Sequence, residues 1–340
     1  MDPEWRRGFR PAPAAPPICG TFTPPGRVRS CAPPAAAPGP ELPLATHASP
    51  PKQVRRVLDA PPQHWVGDGF PARSMFSYAR EAEAWSPFVL LDYLGPMEFE
   101  PTNDRRGVGA HPHRGFETVT ILHAGEVEHR DSAGYRGAIG PGDVQWMTAA
   151  SGVLHEEMQG RAFAKRGGLL WGAQVWVNLP AAHKMSPPRY QDLRAAQIPV
   201  VALADGAGEA RVIAGTVMGA RGPATTVTPV EMAVVVLVAG ATVGLALPAG
   251  HTALVLVESG TVRVNDGDPV GEARLVELTR TGSTFRLHAE TAAQVLVLGG
   301  EPIDEPVVGH GPFVMNTWPE ISRAIHDVGA GRLGELPDEA

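Results

Sequence analysis

Two short segments, His111-Pro112-His113 and His155-Glu156-Glu157, constrain this chain more than any other feature. Successive side chains of an extended strand point to opposite faces, so His111 and His113 project together, as do His155 and Glu157. Glycine-punctuated strand patterns separate the two segments, and the turn Gly140-Pro141-Gly142-Asp143 sends the chain back. That spacing places the second segment beside the first in an antiparallel β-barrel. Two strands that each offer two ligands to one face make a mononuclear metal site. Three neutral imidazoles and a carboxylate suit a divalent transition metal, and four protein ligands leave positions open for exogenous groups if the metal is octahedral. Parity alone also admits Glu117, four residues past His113, as a competing carboxylate. Pro112 removes a backbone donor between the two histidines and is tolerated at strand starts and edges, which predicts that they stand at the beginning of a strand on a stiff backbone. Arg114 is expected to face outward, and Glu156 to point away from the site.

The rest of the chain has the same strand rhythm. Between residues 53 and 182, Phe88 to Tyr93, Phe116 to Leu122, Val144 to Thr148 and Leu169 to Val177 read as short strands bounded by Gly, Pro and Asp. In the last of these, Trp171, Ala173, Val175 and Val177 alternate with Gly172, Gln174 and Trp176. A polar, proline-bearing stretch, 183–197, reads as a linker. Residues 198–333 carry a second run, clearest at Ala233 to Val238, Ala253 to Val257, Thr261 to Val264 and Ala293 to Leu298. Two all-β domains of similar size suggest an internal duplication. The chain then turns helical: Thr317 with Glu320 makes a capping box, Pro319 fits the first turn, and Ile321, Ala324, Ile325 and Val328 follow the helical period. His123 and His129 are expected at an edge or behind the ligands. His251 and His288 stand singly, so the second barrel is expected to carry no metal.

Composition narrows the function classes. Residues 1–52 are rich in Pro and Ala without apolar periodicity, which predicts a disordered leader. The two cysteines, Cys19 and Cys31, fall inside it, so the strand-rich part has no thiol for a disulfide or thiolate site. A cytoplasmic protein is the default expectation, since the leader lacks an unbroken apolar core and the Val-rich runs are too short to cross a membrane. Residues 1–60 carry a net charge of +4 against −11 for the remainder, and an acidic body argues against direct nucleic-acid binding. A monomer is expected, because two barrels in one chain bury their own interface.

Longer strings make the pattern more specific. His64-Trp65-Val66-Gly67-Asp68-Gly69-Phe70, His111 through Val119 (HPHRGFETV), Pro141 through Ala149 (PGDVQWMTA) and Glu305-Pro306-Val307-Val308 to Asn316-Thr317 resemble the pirin family of the cupin superfamily, over about residues 53 to 333. The resemblance implies a bicupin, two antiparallel cupin (jelly-roll) β-barrels with a C-terminal helix. It implies one metal in the N-terminal barrel, usually Fe(II), although similar ligands accept Mn, Ni, Co, Cu or Zn. The family's ligands fall on His111, His113, His155 and Glu157, with Glu157 also the expected catalytic base. For several members the resemblance implies quercetin 2,3-dioxygenase activity, with a flavonol and O2 as substrates. It also permits a different role, an iron-binding, redox-sensing regulator acting through a protein partner.

Overall fold

The computed structural model describes residues 50–337. The disordered leader expected over residues 1–52, with both cysteines, lies outside the described residues up to position 49. Residues 50–52 belong to the fold: Pro51 bridges to Thr284, and the buried Lys52 donates from Nζ to the carbonyls of His251, Thr279 and Arg280.

Two barrels share one plan, a seven-stranded sheet facing a four-stranded sheet, all antiparallel. In the first barrel the large sheet runs in the order Arg189–Leu193, Val144–Thr148, Phe116–Ala124, Gly168–Asn178, Phe88–Phe99, Phe70–Ser77, His64–Val66. Its small sheet runs Gly107–His113, Val153–Gln159, Val127–Asp131, Arg136–Ile139. The second barrel repeats this with Val54–Leu58, Arg274–Leu278, Thr252–Ser259, Ala293–Gly300, Val230–Leu237, Gly208–Ala214 and Val200–Ala202 opposite a sheet of Thr242–Ala246, Thr284–Ala289, Thr261–Val264 and Val270–Gly271. The fold is the expected bicupin.

The two large sheets pack against each other. Val119, Ile121, Trp146, Val175 and Val177 of the first join Met232, Val234, Leu254, Leu296 and Leu298 of the second in one apolar cluster. This accounts for the alternation in Gly168–Asn178. Ala173, Val175 and Val177 fill the interbarrel layer, while Gln174 and Trp176 point into the first barrel, where Gln174 reaches Glu157 and Trp176 lies against His113. A strand buried on both faces shows no polar stripe, so its parity is visible only in residue size and chemistry.

Three boundaries differ from those expected. Val54–Leu58 pairs with Arg274–Leu278 of the second barrel rather than joining the first. Arg55 and Arg56 there hold the carboxylate of the buried Glu277 at 2.6 and 2.5 Å, which ties this strand to that edge. The 183–197 stretch is no free linker, because Arg189–Leu193 pairs with Val144–Thr148 as an edge strand of the first large sheet. At the other end the hairpin Val308–His310/Phe313–Met315 leaves the second barrel and bonds to the first, with Val314 N donating to Arg114 O and Arg114 N to Pro312 O. Each end of the described chain therefore completes the barrel built mainly from the opposite half.

The helix Trp318–Gly329 starts at the expected capping box, with Thr317 N donating to Glu320 Oε2 at 2.8 Å, and packs Ile321, Ala324 and Val328 on that hairpin. Ile325 is an exception to the expected stripe and is exposed; Asp327 takes the buried position instead. Arg114 explains the exchange. It is buried rather than outward-facing, and donates to Asp327 at 2.9 Å and to Ser151 O at 2.7 Å, so the helix turns its carboxylate inward to meet a buried guanidinium. No helix among the described residues is long and apolar enough to cross a membrane.

Lys184 joins the exchanged hairpin to the first barrel. Its Nζ, fully buried, donates to Gly115 O, Asn178 Oδ1 and Val314 O at 2.6–2.9 Å. Burial pulls the Lys184 pKa down to about 7, a desolvation cost that three short hydrogen bonds offset. Lys184→Met leaves three buried acceptors without a donor and is expected to cost about 3 kcal/mol. The urea unfolding midpoint, measured beside the wild type, checks this.

Candidate metal centre

Register assembles the histidines. Gly107–His113 and Val153–Gln159 pair antiparallel, with His155 directly opposite His111 and Val153 opposite His113. A bulge at Gly109-Ala110 puts two residues opposite Glu156 and restores pairing at Glu157 with Val108. Gly107–His113 is an edge strand, which lets it accept Pro112 without losing a ladder bond, but the two histidines end the strand rather than begin it. The three imidazole rings of His111, His113 and His155 lie 4.1 to 4.8 Å apart by centroid. One nitrogen from each falls within 4.8 Å of the others.

The outer nitrogens are engaged. His111 Nδ1 faces Gly109 O at 2.8 Å, His113 Nδ1 faces Pro312 O at 3.4 Å, and His155 Nδ1 faces His129 Nδ1 at 3.4 Å. An imidazole whose Nδ1 proton is given to a carbonyl presents a lone pair at Nε2. His155 Nε2 is buried and has no hydrogen-bond partner, a cost that metal ligation removes. Burial, and then the neighbouring histidines, hold the pKa values of His113 and His155 well below the ordinary imidazole range, so both rings are neutral. His111 is half-buried, and this side is the open one. The donor set fits a divalent metal.

Glu157 is buried on the same strand face as His155, and a carboxylate oxygen lies within 4.8 Å of ring nitrogens of His155 and His129. Three side chains hold it: Gln145 Nε2 donates to Oε1 at 2.8 Å, Gln174 Nε2 to Oε2 at 3.0 Å and Thr120 Oγ1 to Oε1 at 3.3 Å. Tyr190 OH donates to Gln145 Oε1 and Trp176 Nε1 to Gln174 Oε1, and these bonds turn both amide NH2 groups toward Glu157. Glu156 points to the opposite face, as expected, and pairs with Arg130 at 2.7 Å.

Glu117 is not with the histidines. Gly115, at φ +92°, breaks the chain between His113 and Phe116–Ala124, so parity does not carry from one strand to the next. Phe116 and Thr120 face the histidines and Glu157, whereas Glu117 shares the opposite face with Val119 and Ile121. Its carboxylate accepts from Thr148 Oγ1 at 2.6 Å, and burial pushes its pKa up to about 6.

The remaining histidines divide. His129 lies directly behind His155, while His123 reaches across the interbarrel layer to Glu258 at 2.9 Å. In the second barrel His251 pairs with Glu231 and His288 with Thr242. Trp176, stacked on Phe116 at 4.2 Å and edge-on to His113 at 5.0 Å, forms an aromatic wall beside the three rings. Trp146 and Met147 are core residues. Sequence reasoning passed over Thr120, Gln145, Gln174 and Asp131. For the two glutamines the signal was present, since a glutamine in the middle of an otherwise apolar strand has to bond to something buried.

The pirin family model matches residues 69–177, and the model of the pirin C-terminal cupin domain matches residues 232–334. The chain belongs to the pirin family. A Pseudomonas aeruginosa pirin relative, provisionally named a quercetin 2,3-dioxygenase, is 54% identical over 282 residues, covering 83% of this chain and 98% of its own. A pirin-like protein of Caulobacter vibrioides is 41% identical over 269 residues, 74% of this chain and 89% of its own. Among solved structures, a quercetin 2,3-dioxygenase from Acinetobacter baumannii superimposes with a TM-score of 0.82 at 48% identity, covering 84% of this chain and 99% of that one.

The position of Glu117 sets a test by pH. Its folded-state pKa, about 6, lies above the ordinary 4.5, so its contribution is fully present below pH 4.5 and is lost as pH rises through 6. Glu117→Gln should flatten the stability profile between those values. Above pH 6 it should gain about 2 kcal/mol over the wild type, at 1.36 kcal/mol per pKa unit. Metal-free urea unfolding at pH 4.5 and pH 7 gives the difference, and undiminished metal uptake by the variant would confirm that Glu117 is no ligand.

Proposed function

We propose that this pirin is a metal-dependent dioxygenase of the quercetin 2,3-dioxygenase type, which opens the ring of a flavonol with O2. The observation that carries the reading is the convergence of one ring nitrogen from each of three histidines, with His155 Nε2 buried without a partner, in a chain whose near relatives bear that enzyme's name. His111, His113 and His155 would hold one divalent metal, Fe(II) by preference, with Glu157 as the fourth ligand or as its close neighbour. When bound, the metal supplies Lewis acidity toward a substrate hydroxyl and a shared site for O2.

The chain's own groups account for the rest. Oε2 of Glu157 accepts from Gln174 alone, whereas Oε1 accepts from Gln145 and Thr120, so Oε2 is the atom that would take the flavonol hydroxyl proton. Gln145 and Gln174 hold that carboxylate in one orientation while the proton is received. The Trp176–Phe116 stack offers a flat apolar face beside His113, against which a flavonol ring can pack and exclude water. Half-buried His111 marks the side from which substrate arrives.

Anaerobic reconstitution with Fe(II), followed by quercetin and O2, tests the reading through loss of flavonol absorbance and O2 uptake. Turnover should depend on the metal. His113→Ala and Glu157→Ala should each lower it at least about 100-fold, the scale of several kcal/mol of charge stabilisation. Stoichiometric Fe(II) binding without flavonol loss or O2 uptake would overturn it.

A further inference from the structure

We propose that Asp131 and His129 are positioning residues that set the ring tautomer of His155, and so decide whether its Nε2 lone pair faces the metal position. The inference rests on the reading of His155 as a metal ligand and adds what makes it one. The three groups lie in line on neighbouring strands: Val127–Asp131 pairs with Val153–Gln159, with Asp131 opposite His155 and His129 opposite Glu157.

The argument starts at the carboxylate. Asp131 is 1% exposed, and its Oδ1 accepts two backbone donors, Ala133 N at 2.9 Å and Tyr135 N at 3.1 Å, which fix its plane. Oδ2 faces His129 Nε2 at 3.0 Å. A carboxylate only accepts, so His129 carries its proton on Nε2 and leaves a lone pair on Nδ1. That lone pair faces His155 Nδ1 at 3.4 Å. Of the two facing nitrogens only one can be bare, so His155 carries its proton on Nδ1, and its buried, unpartnered Nε2 is the free lone pair. The Tyr190 ring, stacked on His129 at 4.8 Å and 18°, holds the middle ring in plane. At 3.4 Å the imidazole–imidazole bond is long, and the repulsion between two bare lone pairs or two N–H groups in the mismatched tautomers adds to it in selecting the matched one.

His111 and His113 reach the same state through carbonyls, which cannot be reversed. His155 alone depends on a side chain whose own polarity is set by another, and it can therefore be inverted by one isosteric change. Asp131→Asn can keep Oδ1 on the two backbone donors while turning an NH2 toward His129 Nε2. His129 must then carry its proton on Nδ1, which pushes the His155 proton to Nε2 and blocks the lone pair; loss of an orienting carboxylate has this consequence in the serine-protease triad as well. His129→Asn keeps an acceptor near the Nδ1 position, and His129→Phe keeps the ring without one.

Two readouts test this. Long-range 15N–1H correlation spectra of the histidine-labelled, metal-free full chain at pH 8 should show His155 as the Nδ1–H tautomer and His129 as Nε2–H. Asp131→Asn should reverse both. In anaerobic Co(II) titrations Asp131→Asn and His129→Phe should bind about 10–100-fold more weakly than the wild type, the usual cost of losing a group behind a ligand. His129→Asn should recover most of that loss, and Asp131→Asn, which keeps the two backbone donors on Oδ1, should change metal-free melting little. An Nε2–H tautomer at His155 in the wild type would overturn the proposal, and this arm needs no variant to fold. So would an Asp131→Asn variant that binds Co(II) as tightly as the wild type. The expected tautomers in a wild-type chain that takes up no metal would leave the relay standing and overturn the metal reading instead.

Discussion

Direct pairing of His155 with His111 is the constraint from which the centre follows. Once these two residues face each other across one rung of a ladder, the two-residue period of each strand delivers His113 and Glu157 to the same side. A slip of either strand by one residue would send its own two ligands to the outer face, so the register is also the specification of the site. The Gly109-Ala110 bulge does not disturb it, because the extra residue lies beyond His111 and the Val153–Gln159 strand keeps regular pairing with Val127–Asp131 on its other edge. His129 and Asp131 are set behind His155 by that second pairing.

What was legible in the sequence was whatever repeats at short range. The His-x-His and His-x-Glu spacings, the strand alternation in Gly168–Asn178 and the capping box of the last helix depend on neighbours within a few residues, and each is found where expected. The misreadings arose where a local rule was extended across a break. Parity was carried from His113 to Glu117 through Gly115, whose positive φ starts a new strand with a new phase. Ile325 was assigned inward by helical period, but a charge pair formed with Arg114, far away in sequence, drew Asp327 to the buried face.

Long-range exchange lay beyond sequence reasoning for the same reason. Nothing in Val54–Leu58 names Arg274–Leu278 as its partner, and nothing in Phe313–Met315 names the first barrel. Both assignments rest on buried polar groups that need distant partners: Glu277 needs Arg55 and Arg56, and Lys184 needs the carbonyl of Val314. The metal centre inherits one such contact, since His113 Nδ1 is met by Pro312 O from the returning hairpin.

Exchange of the chain ends also bears on the order in which the protein can be made. Arg55 and its partner Glu277 stand 222 positions apart, so during synthesis the first edge strand emerges and must wait while nearly the whole fold is added behind it. An unpaired strand edge is an invitation to pair with another chain, and Val54, Val57 and Leu58 supply the apolar content that makes such pairing favourable. The two arginines that later neutralise Glu277 interrupt that run with adjacent like charges. The same pair thus serves twice, as a guard on the nascent chain and as a clasp on the finished one.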